Sequence, residues 1–276
     1  MSWCRAALLL LFAAPLWADD GYVIGVGIET DSDGAIAGSV SGGIGIAENT
    51  WLSSALAKTK VDLPRDLTID TVYADIEIDH WFKPFGIQAA AAYWGESDIL
   101  DSVDYRGSLY WRNDKITLSG NYEYRGFAFD IFRDTLLPAR EFEFHANGLG
   151  LSGKFKLGEK VDLNFSGIDY DYDVNLRIDE NRPILDYLSV SRLSLINSLV
   201  DYRARVGLGI DVGERRWSLD LATWKGEVDG RKTRSATVRF ITPLGDRSDI
   251  DFGLGIDDSE DFGSVTVFSF YLYFYG

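Results

Sequence analysis

The sequence predicts an all-β protein: a transmembrane, up-and-down antiparallel β-barrel of about fourteen strands, with twelve as the alternative count. Three observations predict it. Large apolar residues alternate with polar or small ones over runs that reach the roughly 9–11 residues a tilted strand needs to cross a bilayer. Beyond the first residues, no stretch approaches the ~18 consecutive apolar residues of a spanning helix. The breaks between runs alternate between tight turns and longer loops, the asymmetry of bacterial barrels. Composition agrees: the 276 residues are 46% hydrophobic and 25% charged, with a mean hydropathy of −0.07. The two classes therefore interleave along the chain.

Residues 1–18 read as an export leader, with Arg5 before an apolar run from Ala6 to Phe12 and a small residue at Ala18. Its removal takes Cys4, which excludes disulfide frameworks, thiolate metal sites and cysteine nucleophiles. It also takes Arg5, moving the net charge from −16 to −17. A charge this negative opposes nucleic-acid binding. Residues 19–276 then form a single barrel domain, with no plug or periplasmic module expected ahead of the first strand.

The elements follow in order. Tyr22-Val23-Ile24-Gly25-Val26-Gly27-Ile28 opens the first strand, which ends at Asp31–Gly34. The second reaches the tight break Ala47–Thr50, the third the loop Lys60–Asp70, the fourth the turn Lys83–Gly86, and the fifth the loop Glu96–Ser102. The sixth stops at Asn113-Asp114, the seventh at Asp130–Arg140, the eighth at Gly158–Lys160, and the ninth at the longest loop, Ile178–Ser198. The tenth, Val200 to Asp211, alternates with its charges on one face only and ends at Gly213–Arg215. Breaks at Val228–Arg231, Leu244–Ser248 and Asp257–Asp261 bound the last four. Termini on one side and short turns facing one compartment complete the pattern.

The aromatic residues fall at strand ends. Trp51, Phe82, Trp111, Phe155, Trp217 and Phe274 lie beside tight turns or the terminus, as membrane-interface positions, while Trp94, Tyr170, Tyr172 and Trp224 lie towards the loops. Two girdles flanking an apolar band are what a membrane interface selects. In the last strand Phe268, Phe270, Leu272 and Phe274 alternate with Ser269, Tyr271, Tyr273 and Tyr275. This resembles the C-terminal assembly signal of Gram-negative outer-membrane β-barrel proteins. The resemblance implies an outer-membrane location, surrounding lipid and lipopolysaccharide, and recognition of this strand by the barrel assembly machinery.

With the apolar face on lipid, parity assigns the lumen. Asp75, Glu77, Asp79, Arg106, Arg112, Glu123, Arg125, Arg203, Arg205, Asp220, Arg239 and Asp251 are expected to line it, because a charge at the bilayer midplane costs roughly 2–4 kcal/mol. The acidic row Asp75, Glu77 and Asp79 either faces Arg203, Arg205 and Arg239 across the bore, giving a transverse field, or pairs with its neighbours. The loop Ile178–Ser198 either folds into the bore or protrudes. The expected function is a channel for passive diffusion of small hydrophilic solutes. The alternatives are a lipid hydrolase at the rim and a closed structural or adhesive barrel.

Chemistry-bearing residues are sparse. His145 with Glu143 on the same face is the candidate catalytic pair, because a carboxylate can orient an imidazole base, but no serine motif accompanies it. Asp169, Asp171 and Asp173 share a strand face and are the candidate oxygen ligands for a metal ion. Gly148-Leu149-Gly150-Leu151-Ser152-Gly153 matches a dinucleotide fingerprint by letter, yet it lies inside a strand with no helix after it. A bulge near Gly148 is the expected explanation, and no cofactor is expected.

Overall fold

A computed structural model of the chain describes residues 21–63, 67–96, 100–131, 140–174, 199–227, 230–260 and 263–276. The expected leader and the loop Ile178–Ser198 lie outside the described residues. Fourteen strands form the wall. The first seven are β1 (Tyr22–Asp31), β2 (Ile36–Ala47), β3 (Thr50–Leu63), β4 (Leu67–Phe82), β5 (Phe85–Glu96), β6 (Leu100–Arg112) and β7 (Ile116–Ile131). The second seven are β8 (Arg140–Lys156), β9 (Val161–Tyr172), β10 (Val200–Val212), β11 (Arg215–Gly226), β12 (Lys232–Gly245), β13 (Ser248–Ser259) and β14 (Gly263–Tyr275).

Every strand pairs antiparallel with its sequence neighbours, and β1 pairs with β14 to close the barrel. Closure runs from Val23 opposite Tyr275 to Asp31 opposite Val267, with the Tyr22 amide donating to the Gly276 carbonyl at 2.9 Å. Closure leaves no strand edge with unpaired backbone groups, the condition for a sheet to stand in hydrocarbon. At the short-turn end, Asn49 and Gly213 take positive φ (59° and 65°) in the β2–β3 and β10–β11 turns, a left-handed conformation that asparagine and glycine enter most readily. The Asn113 side chain accepts from the amides of Lys115 and Ile116 at 2.9 and 2.8 Å, pinning the β6–β7 turn.

The two faces separate as the alternation predicts. Ile76, Leu109, Leu151, Val206, Leu221, Leu254 and Phe268 all stand exposed on the outer face. An apolar surface that continuous is not stable against water and fits an acyl-chain environment. Phe82, Trp111, Trp217 and Phe274 share this outer face near the short turns, with Trp217 packed on Phe240 at 4.5 Å between centroids. Trp51 does not join them. Its register partners are Gly45 and Asp79, so it faces inward at the short-turn mouth, because Leu52 and Leu56 hold the outward places on β3.

The loop-end aromatics depart from the expected girdle. Trp94, Tyr170, Tyr172 and Trp224 face inward, where they pack with Phe127, Phe144, Ile168 and Val200 into one buried cluster. Their place along the strands resembles a girdle, but their parity is that of the interior. On the outer face at that height stand Tyr105, Tyr122, Tyr124 and Tyr202, with Tyr105 and Tyr124 stacked at 6.5 Å. The expected bulge near Gly148 is also absent. Register runs unbroken through β7, β8 and β9 there, and the described irregularities fall at Gly45/Ala47, Val200/Tyr202 and Pro243/Gly245.

Candidate functional site

The interior is built by the inward parity of each strand. Register places Asp75, Glu77 and Asp79 on the inward face of β4, Arg106 and Arg112 on β6, and Glu123 and Arg125 on β7. It places Arg203 and Arg205 on β10, Asp220 on β11, Arg239 on β12 and Asp251 on β13, also inward. In the closed order β4 lies halfway round the ring from β11, so the acidic row stands across the bore from the strands that carry Arg203, Arg205 and Arg239.

Most of these charges nevertheless meet a partner close by. Arg205 engages Asp220 through Nε and Nη2 at 3.0 and 2.8 Å, and Arg239 engages Asp251. Arg106 on β6 reaches over β5 to Asp75, and Tyr110 donates to Asp79 at 2.7 Å along the same route. Arg216 on β11 reaches over β10 to Asp162 on β9 at 2.5 Å. Arg112 sits at the short-turn mouth over the rings of Trp81 and Tyr110, at 5.4 and 5.5 Å.

Glu123 is the centre of the longest of these networks. Tyr170 on β9 donates to it at 2.5 Å, and Arg203 on β10 at 2.7 Å. Both side chains pass over β8 where Gly148 is the register partner of Glu123 and of Tyr170. A Cβ at Gly148 would lie 2.7 Å from the Tyr170 ring, so the glycine is required by this close approach. The fingerprint-like run is thus a small-residue path beneath a hydrogen-bonded network.

Three of the ion pairs share an orientation. The Arg203 side chain is 36% exposed against 13% for Glu123, Arg205 51% against 12% for Asp220, and Arg239 32% against 1% for Asp251. The guanidinium heads are the more exposed partners in a cavity of about 510 Å³ that these three arginines line with Glu29, Glu123, Asp220, Trp224 and Tyr271. Around Arg125 the bore is filled. Arg125 is only 1% exposed, lies 3.3 Å from Asp104, and is covered by the rings of Phe127 and Tyr170 at 5.0 and 5.6 Å. The cavity lining runs from β7 through β14 to β1, with most of it from β10–β14.

Glu29, Tyr271 and Arg216 are interior residues beyond the twelve that parity singles out, and Tyr110 shares the inward face of β6 with Arg106 and Arg112. Glu29 lies on the same face as Gly25 and Gly27 and accepts from Tyr271. The alternation of β1 and of β14 already marks both positions as polar-face residues.

The remaining candidates lie on the outer face at the loop end. Glu143 and His145 share it, but His145 Nδ1 is 3.1 Å from Asp173 and its ring stacks on Tyr124 at 5.4 Å. Among the described residues no serine hydroxyl contacts His145. The Asp173 carboxyl is held below its ordinary value chiefly by the His145 amide and then by the His145 ring. Asp169 and Asp171 precede it on β9, and among the described residues no three acidic, histidine or cysteine side chains gather closely enough to hold a metal ion. Alternate residues on a strand stand about 6.6–6.8 Å apart, which spreads the three carboxylates along the rim.

No family model matches the chain, and no curated protein matches it. Solved structures do match. CymD, a monoaromatic hydrocarbon channel, is 7% identical with a TM-score of 0.56, covering 92% of this chain and 87% of its own. OmpT, an outer membrane protein of Vibrio cholerae, is 9% identical in its trimer form with a TM-score of 0.51, covering 93% and 98%. The variant of OmpT that lacks loop L8 gives 8%, 0.53, 93% and 98%. The fold is that of the porin-like barrels of the outer membrane.

Proposed function

We propose that this barrel is an outer-membrane channel for passive diffusion of small hydrophilic solutes, whose interior charges set the preference among them. The orientation of three ion pairs carries the reading: the guanidinium heads of Arg203, Arg205 and Arg239 are more exposed than the carboxylates they hold. Each pair then turns the positive end of its dipole to water, and a low-dielectric wall focuses that field onto passing solutes. The likeness to CymD, itself a channel, agrees with this. The short turns face the periplasm, lipopolysaccharide surrounds the loop end, β14 engages the assembly machinery, and residues 1–18 act as the leader.

Planar-bilayer recording on the refolded barrel tests the proposal. Discrete conductance steps are expected, with a reversal potential favouring anions and a shift towards cations in Arg205→Gln. A correctly folded barrel that carries no current would overturn it.

A further inference from the structure

We propose that the interior cavity is a binding station for small organic monocarboxylates that carry an apolar body. The inference deepens the channel reading and rests on it for the route by which such a solute arrives. Arg205 supplies the anchor. It holds Asp220 through Nε and Nη2, which leaves the Nη1 donors of a guanidinium that has five N–H groups in a planar fork. Its register partner on β11 is Ala222, whose small side chain leaves space beside the head.

One row towards the loops, Arg203 lies opposite Ile168 on β9 and Trp224 on β11, and all three line the cavity together with Val200. The Arg203 head reaches away to Glu123, so Ile168 and Trp224 flank its stem and leave an apolar wall one row from the Arg205 head. That arrangement suits neither an inorganic anion nor a neutral sugar. It suits a carboxylate whose hydrocarbon part lies against Trp224, at the edge of the buried cluster that holds Ile168 and Val200, while its head lies on Arg205. The volume of about 510 Å³ falls within the roughly 300–1,000 Å³ range of small-molecule sites. Glu123 and Asp220 offset the charge of Arg203 and Arg205 in the same cavity, and Glu29, held by Tyr271 at another wall, adds a further negative group, which restricts the class to monoanions.

Calorimetric titration of the refolded full-length barrel in detergent, with matched micelle blanks, tests this. Three probes are used: sodium benzoate, sodium acetate as the head without the body, and benzyl alcohol as the body without the head. Benzoate is expected to bind at least about tenfold tighter than either, a factor equivalent to about 1.4 kcal/mol. Arg205→Gln should reduce benzoate to the level of benzyl alcohol, and Trp224→Ala to the level of acetate. Heat-modifiable electrophoretic mobility confirms that each variant is folded. If the alanine variant does not fold, Trp224→Phe, which keeps a ring, should retain the benzoate preference. Equal affinities for benzoate and acetate, or a preference that survives Arg205→Gln, would overturn the assignment. Conductance in potassium chloride on the same preparation separates the two readings. Current with equal affinities removes the carboxylate station alone, and a benzoate preference without current removes the channel alone.

Discussion

Arg203 Nη2 lies 2.7 Å from Glu123 Oε1 although the residues stand on β10 and β7, with β8 and β9 between them. In a closed sheet such a contact is possible only through the interior. It is made here because Tyr170 and Arg203 converge over the side-chain-free surface of Gly148, where the wall offers no Cβ to hold them apart.

Gly148→Val therefore forces the Tyr170 ring off Glu123. Overpacking of this kind costs about 1–3 kcal/mol, read as a lowered urea midpoint for the barrel folded into lipid vesicles. Gly120→Val is the control, because a Cβ at Gly120 meets nothing within 4 Å and its midpoint should stay close to that of the parent.

The buried pair of Arg125 and Asp104 should behave asymmetrically. Arg125→Met strands a carboxylate that is 5% exposed, and removing one partner of such a pair costs about 3–5 kcal/mol. The double variant Arg125→Met, Asp104→Leu removes both charges and should recover much of that loss. A double variant no more stable than the single one would show that the aromatic cover, and not the charge pairing, sets the stability of this region.

Placement of the apolar face on lipid is tested by a charge on either side of one strand. Leu254→Arg, on the outer face of β13, should destabilise the folded barrel by roughly 2–4 kcal/mol in vesicles. Gly253→Arg is unsuitable because its Cβ would strike Ser269. Thr237→Arg, which lines the cavity, should instead leave the midpoint nearly unchanged and lower the conductance.

At the loop rim, the Asp173 carboxylate accepts from the His145 amide at 2.8 Å. Its folded value lies below the ordinary 3.8, so the stabilisation it brings is present above 3.8 and is lost as pH falls through the lowered value. Exchange protection of the His145 amide should be the same at neutral and mildly acidic pH, once corrected for intrinsic exchange. It should disappear only in stronger acid, and Asp173→Asn should abolish this acid dependence.

Strand number, the lipid face and the polar face were legible in the residues because each rests on a two-residue period. Water and hydrocarbon select opposite side chains, so alternation in runs such as Ile250 to Asp257 reports the environment of each residue locally. The same local signal placed Asp75, Arg203 and Arg239 on one face, whereas for Trp94 a girdle-like place at the strand end gave the wrong side, which its parity against Ile87 and Tyr93 corrects. Only the tertiary structure decided which interior groups meet. Whether Arg203 reaches Glu123, whether Arg125 is entombed beneath Phe127 and Tyr170, and whether a cavity opens beside Arg205 all depend on the register of non-adjacent strands and on closure of β1 against β14. Those are long-range relationships. Period-2 alternation has no memory beyond its own strand, so it gives the faces of the wall but not the distances across the space that the wall encloses.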